Sequence, residues 1–272
     1  MRIKVTADAG SNFEQELQVF IGEAELASQC FHASLAINRI AANDRRIHRA
    51  INATSHFWST VLYSLQLSYI IVLGRLFDRR NTHNVDRLLK VAQDSIGVFQ
   101  RNALAERKER MGFPNAREWL AEYPDNAYIP DARERLADCL YDAYIPDERK
   151  LLARYLNDAY IPDADFFRQL RRVVAERRKT YDQQLAPLRH KVFAHAEVLP
   201  EEARKELFDK ATLRKLEDLL LFLKRLGYSL RDLFMNGRKP DVEHEFRTSG
   251  YRQVVEEAVI EDVERLLRRV AS

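Results

Sequence analysis

The residues best equipped for chemistry lie in one decapeptide, Leu188-Arg189-His190-Lys191-Val192-Phe193-Ala194-His195-Ala196-Glu197. It sets an arginine, a lysine and two histidines in an otherwise apolar frame, behind Pro187 and ahead of a leucine-rich segment. An imidazole with an ordinary pKa of about 6.5 can take or give a proton near neutral pH. A guanidinium keeps its charge and can stabilise the negative charge that builds on a phosphate during displacement. The same residue types also permit a structural role, in which Arg189 and Lys191 lay their stems along apolar surface and His195 is a hydrogen-bonded core residue.

Other chemistries have no such foothold. The chain has no phosphate-cradling glycine loop, HExxH, calcium-binding loop or serine elbow. Its histidines, His32, His48, His56, His83, His190, His195 and His244, include no pair at the i, i+4 spacing of helical zinc ligands. Cys30 and Cys139 stand alone, with no CxxC pair, so neither a disulfide framework nor a cysteine metal site is expected. No cofactor and no metal are therefore expected.

The elements that must position the decapeptide read as helices. With 8 glycines and 8 prolines in 272 residues, 46% hydrophobic and 31% charged, the chain is poor in turn residues and fits a helical protein better than a sandwich, a barrel or a disordered chain. Steps of three and four link Phe13, Leu17, Phe20, Ala24, Ala27, Phe31 and Leu35, which predicts a first helix to about Ala42. A turn at Asn43-Asp44-Arg45-Arg46 leads to a helix with no charged residue from Ala50 to Gly74, closing at Leu73-Gly74-Arg75-Leu76-Phe77-Asp78 before a polar break at 79–84. That stretch is long enough to cross a bilayer, but its Asn, Thr, Ser, His and Gln residues suit a central bundle helix better, so no membrane partner is expected. Further helices are predicted over about 85–99, 163–185, 209–234 and 251–270, with Pro187 marking a kink or a fresh start before the decapeptide.

Between the third and fourth of these lies an internal repeat. Ala-Tyr-Ile-Pro-Asp occurs at 127–131, 143–147 and 159–163, and a drifted fourth unit begins at Pro114, so that Pro114, Pro130, Pro146 and Pro162 recur every 16 residues. Proline in a first turn followed by about three turns per unit predicts an array of short helices, either a spacer or a seat for a partner. The resulting division is residues 1–100, the array at 101–162, residues 163–236, and a C-terminal amphipathic helix at 237–272 that could cap the core or pair with another chain.

Charge is segregated along this layout. The formal total is only +3, yet from Tyr123 to Phe167 there are 10 acidic and 5 basic side chains, and from Arg168 to Lys179 there are 6 basic and 1 acidic. Arg168, Arg171, Arg172, Arg177, Arg178 and Lys179 thus form a candidate phosphate-facing stripe, or else a solvated face. With no secretory segment at its start, the chain is expected in the cytoplasm.

The order Arg189, polar His190, His195, with five residues between arginine and the second histidine, resembles the HEPN superfamily of small all-helical proteins. The Ala194-His195-Ala196-Glu197 ending, with Gly74-Arg75-Leu76-Phe77-Asp78 and Asp86-Arg87-Leu88-Leu89, is most similar to the abortive-infection U-type branch. Arginine and histidine stand at comparable separation at Arg49–His56 and Arg238–His244, but Arg49 is followed by Ala50, and Pro240 interrupts the other. The resemblance covers about Phe13–Phe99 and Asp163–Phe234, and the repeats have no counterpart in it. It departs at Val198, where members controlled by an adenylyl-transferring partner carry tyrosine.

The resemblance implies an all-α HEPN-like bundle, interrupted here by the 16-residue array, and a metal-independent ribonuclease of a toxin–antitoxin or phage-defence system. In it His195 is the general base, Arg189 stabilises the transition state, and His190 and Lys191 support or contact the phosphate. Residues six apart on an ideal α-helix differ by about 240° in direction, so Arg189 and His195 would not converge on one regular helix. The resemblance implies a homodimer in which each chain brings its motif to a shared cleft. The partners expected are RNA, a second copy, and an antitoxin or other protein seated on the repeats. The alternative is a non-catalytic scaffold in which the acidic repeats bind a protein partner and the bundle dimerises.

Overall fold

Phe13, Leu17, Phe20, Ala24, Ala27 and Phe31 share one face of a 3.6-residue helix, and all are buried on α1, Ala7–Asn43. The structure is a computed structural model that describes residues 7–122, 148–194, 201–202, 212–240 and 251–272. The fold is all-α, as the composition indicates, with no strand among the described residues.

Helix α1 is the spine against which the helices Ser55–Phe77 and Val85–Asp94 and the two C-terminal helices pack. It ends where Asp44 caps α2 (Arg45–Ala53), accepting hydrogen bonds from the Arg46 and Ile47 N–H groups at 2.8 and 3.3 Å. The single uncharged helix expected from Ala50 is broken at Thr54, whose backbone leaves the helical region (φ −124°, ψ 44°); α3 then runs Ser55–Phe77. Thr54 Oγ1 donates back to the Ala50 carbonyl at 3.3 Å, a local competition for backbone partners that no glycine or proline announces.

Helix α3 has two characters. Tyr69, Ile70, Val72, Leu73, Gly74, Leu76 and Phe77 are buried, whereas Phe57 and Tyr63 in its first half are 62% and 51% exposed. By length and composition it is long and apolar enough to cross a membrane, and its C-terminal half is part of the main core. Asn84 then caps α4, Val85–Asp94, accepting from Arg87 N–H at 3.0 Å. The helix expected to reach Phe99 tightens instead into a 3₁₀ turn over Ile96–Phe99, which brings Phe99 edge-on to Phe13 at 5.2 Å.

Three further helices, α5 (Arg101–Arg110), α6 (Ala116–Glu122) and α7 (Glu148–Asn157), gather around Leu104, Ala105, Ala116 and Leu156. Residues 123–147, which hold the middle of the repeat array and half of its acidic side chains, lie outside the described residues. At both repeat prolines that are described, proline precedes the helix rather than entering its first turn. Pro114 sits in a turn before α6, and Pro162 comes before Asp163, whose carboxylate caps α8 (Ala164–Gln184) by accepting from Phe166 N–H at 2.7 Å. The aspartate takes the cap, so the proline is displaced outward.

Helices α8 and α9 (Leu213–Asn236) close the main core with Phe166, Phe167, Leu170 and Val174 from one and Leu216, Leu220, Leu223 and Leu230 from the other. Helix α10, Tyr251–Val270, caps the far end of α1, where Leu267 joins Ile37, Ile47 and Trp58. Helix α9 stops at Gly237 in the left-handed region (φ 63°, ψ 21°). There the Gly237 carbonyl accepts from Tyr160 N–H at 2.7 Å, tying the end of α9 to the chain after α7. A Cβ at 237 would lie 2.6 Å from the Ala159 Cβ and 3.0 Å from Leu104 Cδ2. Gly237→Ala is therefore expected to destabilise the protein by about 2 kcal/mol, read as a lower denaturant midpoint at unchanged slope.

Candidate active site

Pro187, with no N–H to donate, opens the short turn Ala186–Leu188 after α8. The chain then widens into a π-helical segment, Arg189–Ala194. A π-helical turn holds more residues than an α-helical one, so the ideal α-helical spacing does not describe Arg189–Ala194, and such segments recur at functional sites. The Arg189 N–H donates to the Leu185 carbonyl at 2.8 Å, fixing the start of the segment.

The Arg189 side chain folds back across α3. A Cβ placed on Gly74 would come within 2.4, 2.5 and 2.7 Å of its Nε, Cδ and Cζ, so the stem occupies the space that only glycine leaves. Its Nη1 donates to the Tyr181 hydroxyl at 3.4 Å and faces Asp78 Oδ2 at 3.7 Å. Tyr181 is buried on α8 and stacks on Phe77 at 5.2 Å with an 18° interplanar angle. Burial pushes its phenol pKa up, against a smaller opposing pull from Arg189, so it is a neutral hydroxyl at ordinary pH.

The surroundings are held by ion pairs between helices. Arg178, 7% exposed, donates from Nε to the Phe77 carbonyl at 3.2 Å and from Nη2 to Asp86 Oδ2 at 2.7 Å. Arg79 meets the same Asp86 oxygen at 3.4 Å. Buried Glu16 of α1 accepts from Arg87 Nε at 2.7 Å and pairs with His83 Nδ1 at 3.0 Å. Asp78 both closes α3, its N–H donating to the Gly74 carbonyl at 2.8 Å, and accepts from Arg80 N–H at 3.0 Å. The stretches Gly74–Asp78 and Asp86–Arg87, more than a hundred residues before the decapeptide, thus lie against Arg189 and against Arg178.

A family model, HEPN_AbiU2, described as AbiU2, matches residues 20–265. The chain belongs to the HEPN_AbiU2 family. No curated protein and no solved structure matches it. The AbiU2 match runs from within α1 to within α10, and so spans the 101–162 segment that the resemblance read from motifs left out.

Of the four candidate residues in this AbiU2 chain, the structure places three. Arg189 is seated as described, while His190 and Lys191 are exposed on the π-helical segment. His195 lies outside the described residues. The competing Arg49 and His56 are exposed on either side of the Thr54 break, and Arg49 donates to the Arg45 carbonyl at 3.3 Å. Arg238 is exposed beside Asp232, and His244 lies outside the described residues.

The basic stripe on α8 does not hold as one phosphate-facing set. Arg178 is buried and spent on Phe77 and Asp86, Arg168 pairs with Asp165, and Arg177 lies 5.7 Å over the Phe222 ring. Arg172 and Lys179 remain exposed, with no such contact among the described residues. Tyr181 is a site residue that the motif does not include; its signal in the sequence is a phenol eight residues before Arg189 on the apolar face of α8. Among the described residues no three His, Cys, Asp or Glu side chains are grouped to hold a metal ion.

Proposed function

We propose that this AbiU2-family chain is a metal-independent endoribonuclease of a toxin–antitoxin or phage-defence system. His195 removes the proton from a ribose 2′-hydroxyl, and the freed oxygen attacks the adjacent phosphorus. The bond from phosphorus to the 5′-oxygen breaks, leaving a 2′,3′-cyclic phosphate and a 5′-oxygen that takes a proton from water to become the 5′-hydroxyl. Arg189 stabilises the charge on the phosphate oxygens, with His190 and Lys191 beside it as phosphate contacts.

The observation that carries this reading is the seating of Arg189. The motif arginine is held by groups from α3 and α8, and among the described residues the carboxylate that it pairs with, Asp78, is 3.7 Å away, so its charge is not fully cancelled. Arg80 and Lys191, both exposed, stand two residues from Asp78 and from Arg189 in the chain and add positive charge of the sign a polyanion would require.

The site is shared by two copies. The uncharged first half of α3, with Phe57 62% exposed, supports the pairing as an apolar surface on the helix that carries Gly74. Incubating the purified protein with mixed RNA in excess chelator should shorten the RNA at an undiminished rate. RNA that stays intact with and without chelator counts against the proposal.

A further inference from the structure

We propose that Gly74 and Tyr181 are positioning residues for Arg189, a notch and a neutral post that present its guanidinium to the substrate in one orientation. The inference rests on the reading of Arg189 as the residue that stabilises the phosphate. A free arginine side chain carries rotamer entropy worth about 2 kcal/mol, and a site that acts on a moving phosphate gains from ordering it beforehand.

Three features of the seat do this without spending the charge. The stem lies over Gly74, where no Cβ fits beside it. Among the described residues the polar contacts of the head group run through Nη1, to Tyr181 at 3.4 Å and to Asp78 at 3.7 Å, which leaves Nη2 for a phosphate oxygen. The group at hydrogen-bonding distance is a phenol whose pKa is pushed up, and a neutral acceptor orients a cation without neutralising it. Tyr181 is itself held by its stack on Phe77, whose carbonyl Arg178 grips at 3.2 Å.

The seat has an unusual signature. The three atoms nearest to a Cβ at position 74 all belong to the Arg189 side chain, which can swing away. Gly74→Ala should therefore evict Arg189 while leaving the fold intact, and alanine in mid-helix is if anything the better helix former. The variant is expected to keep or raise the melting temperature and to lose about a hundredfold in kcat, with KM changed far less. Tyr181→Phe should lose about tenfold in kcat. Arg189→Lys should be as inactive as Arg189→Ala, because one ammonium cannot both occupy the seat and meet the phosphate.

The test combines these rates with ¹⁵N NMR of the Arg189 Nε–H in the full chain. The signal should show hindered rotation in the parent, and free rotation in Gly74→Ala and Tyr181→Phe. A Gly74→Ala protein with parental kcat, or an Arg189 signal unchanged by both substitutions, overturns the seat. The NMR readout stands even if no RNA is cleaved, so loss of the ribonuclease reading and loss of the seat are told apart.

Discussion

Arg189→Ala and His195→Ala each lower RNA cleavage by roughly 10² to 10⁴, the range for removing one transition-state donor or one general base. Melting temperature serves as the control. The Arg189 side chain is 28% exposed and its ion pair with Asp78 is loose at 3.7 Å, so its truncation should cost no more than about 1 kcal/mol. The double variant should be little worse than either single one, because the two groups act in one step. In cells, any growth inhibition caused by the parent should vanish with either substitution. Variants that cleave at the parental rate would return the decapeptide to the structural role that its residue types also permit.

The largest stability effect is expected one layer away. Asp86→Ala leaves the buried Arg178 guanidinium with the Phe77 carbonyl and no carboxylate. Removing one member of a buried pair costs about 3–5 kcal/mol. Asp86 is 36% exposed and water can partly replace it, so about 2–3 kcal/mol is expected here. Arg172→Ala, six residues earlier on an exposed position of the same helix, should change stability by less than about 0.5 kcal/mol. Denaturant titration of the two proteins checks the contrast. Equal midpoints would mean that Arg178 belongs to a solvated stripe after all.

That contrast shows where the sequence could be read and where it could not. The spacing along α1 and the run from Tyr251 to Val270 both predict helices at the observed places, because a strong 3.6-residue pattern survives any tertiary context. The burial of Arg178 was also legible: it follows Leu170 and Val174 at steps of four and precedes Tyr181 by three, on the apolar face of α8. Counting charge along the chain hid what counting by helical turn reveals.

The Thr54 break was not legible, since it depends on one threonine and not on a glycine or proline. The π-helical geometry of Arg189–Ala194 was equally hidden; Pro187 signals a disturbance but not its kind. Gly74 through Asp78 could be recognised as a motif, yet its work is a contact with a residue far along the chain, and only packing puts Gly74 under the Arg189 stem. Tyr181 reads as one more core aromatic until Arg189 is seen 3.4 Å away.

The most direct measurement of the central claim is the chemistry of the RNA ends produced in chelator by the purified full chain, alongside an RNA carrying a single 2′-deoxyribose at the cleaved position. The account predicts a 2′,3′-cyclic phosphate and a 5′-hydroxyl, with no cleavage at the deoxy position. Ends bearing a 3′-hydroxyl and a 5′-phosphate, or cleavage at the deoxy position, would contradict attack by the 2′-oxygen and with it the roles given to His195 and Arg189.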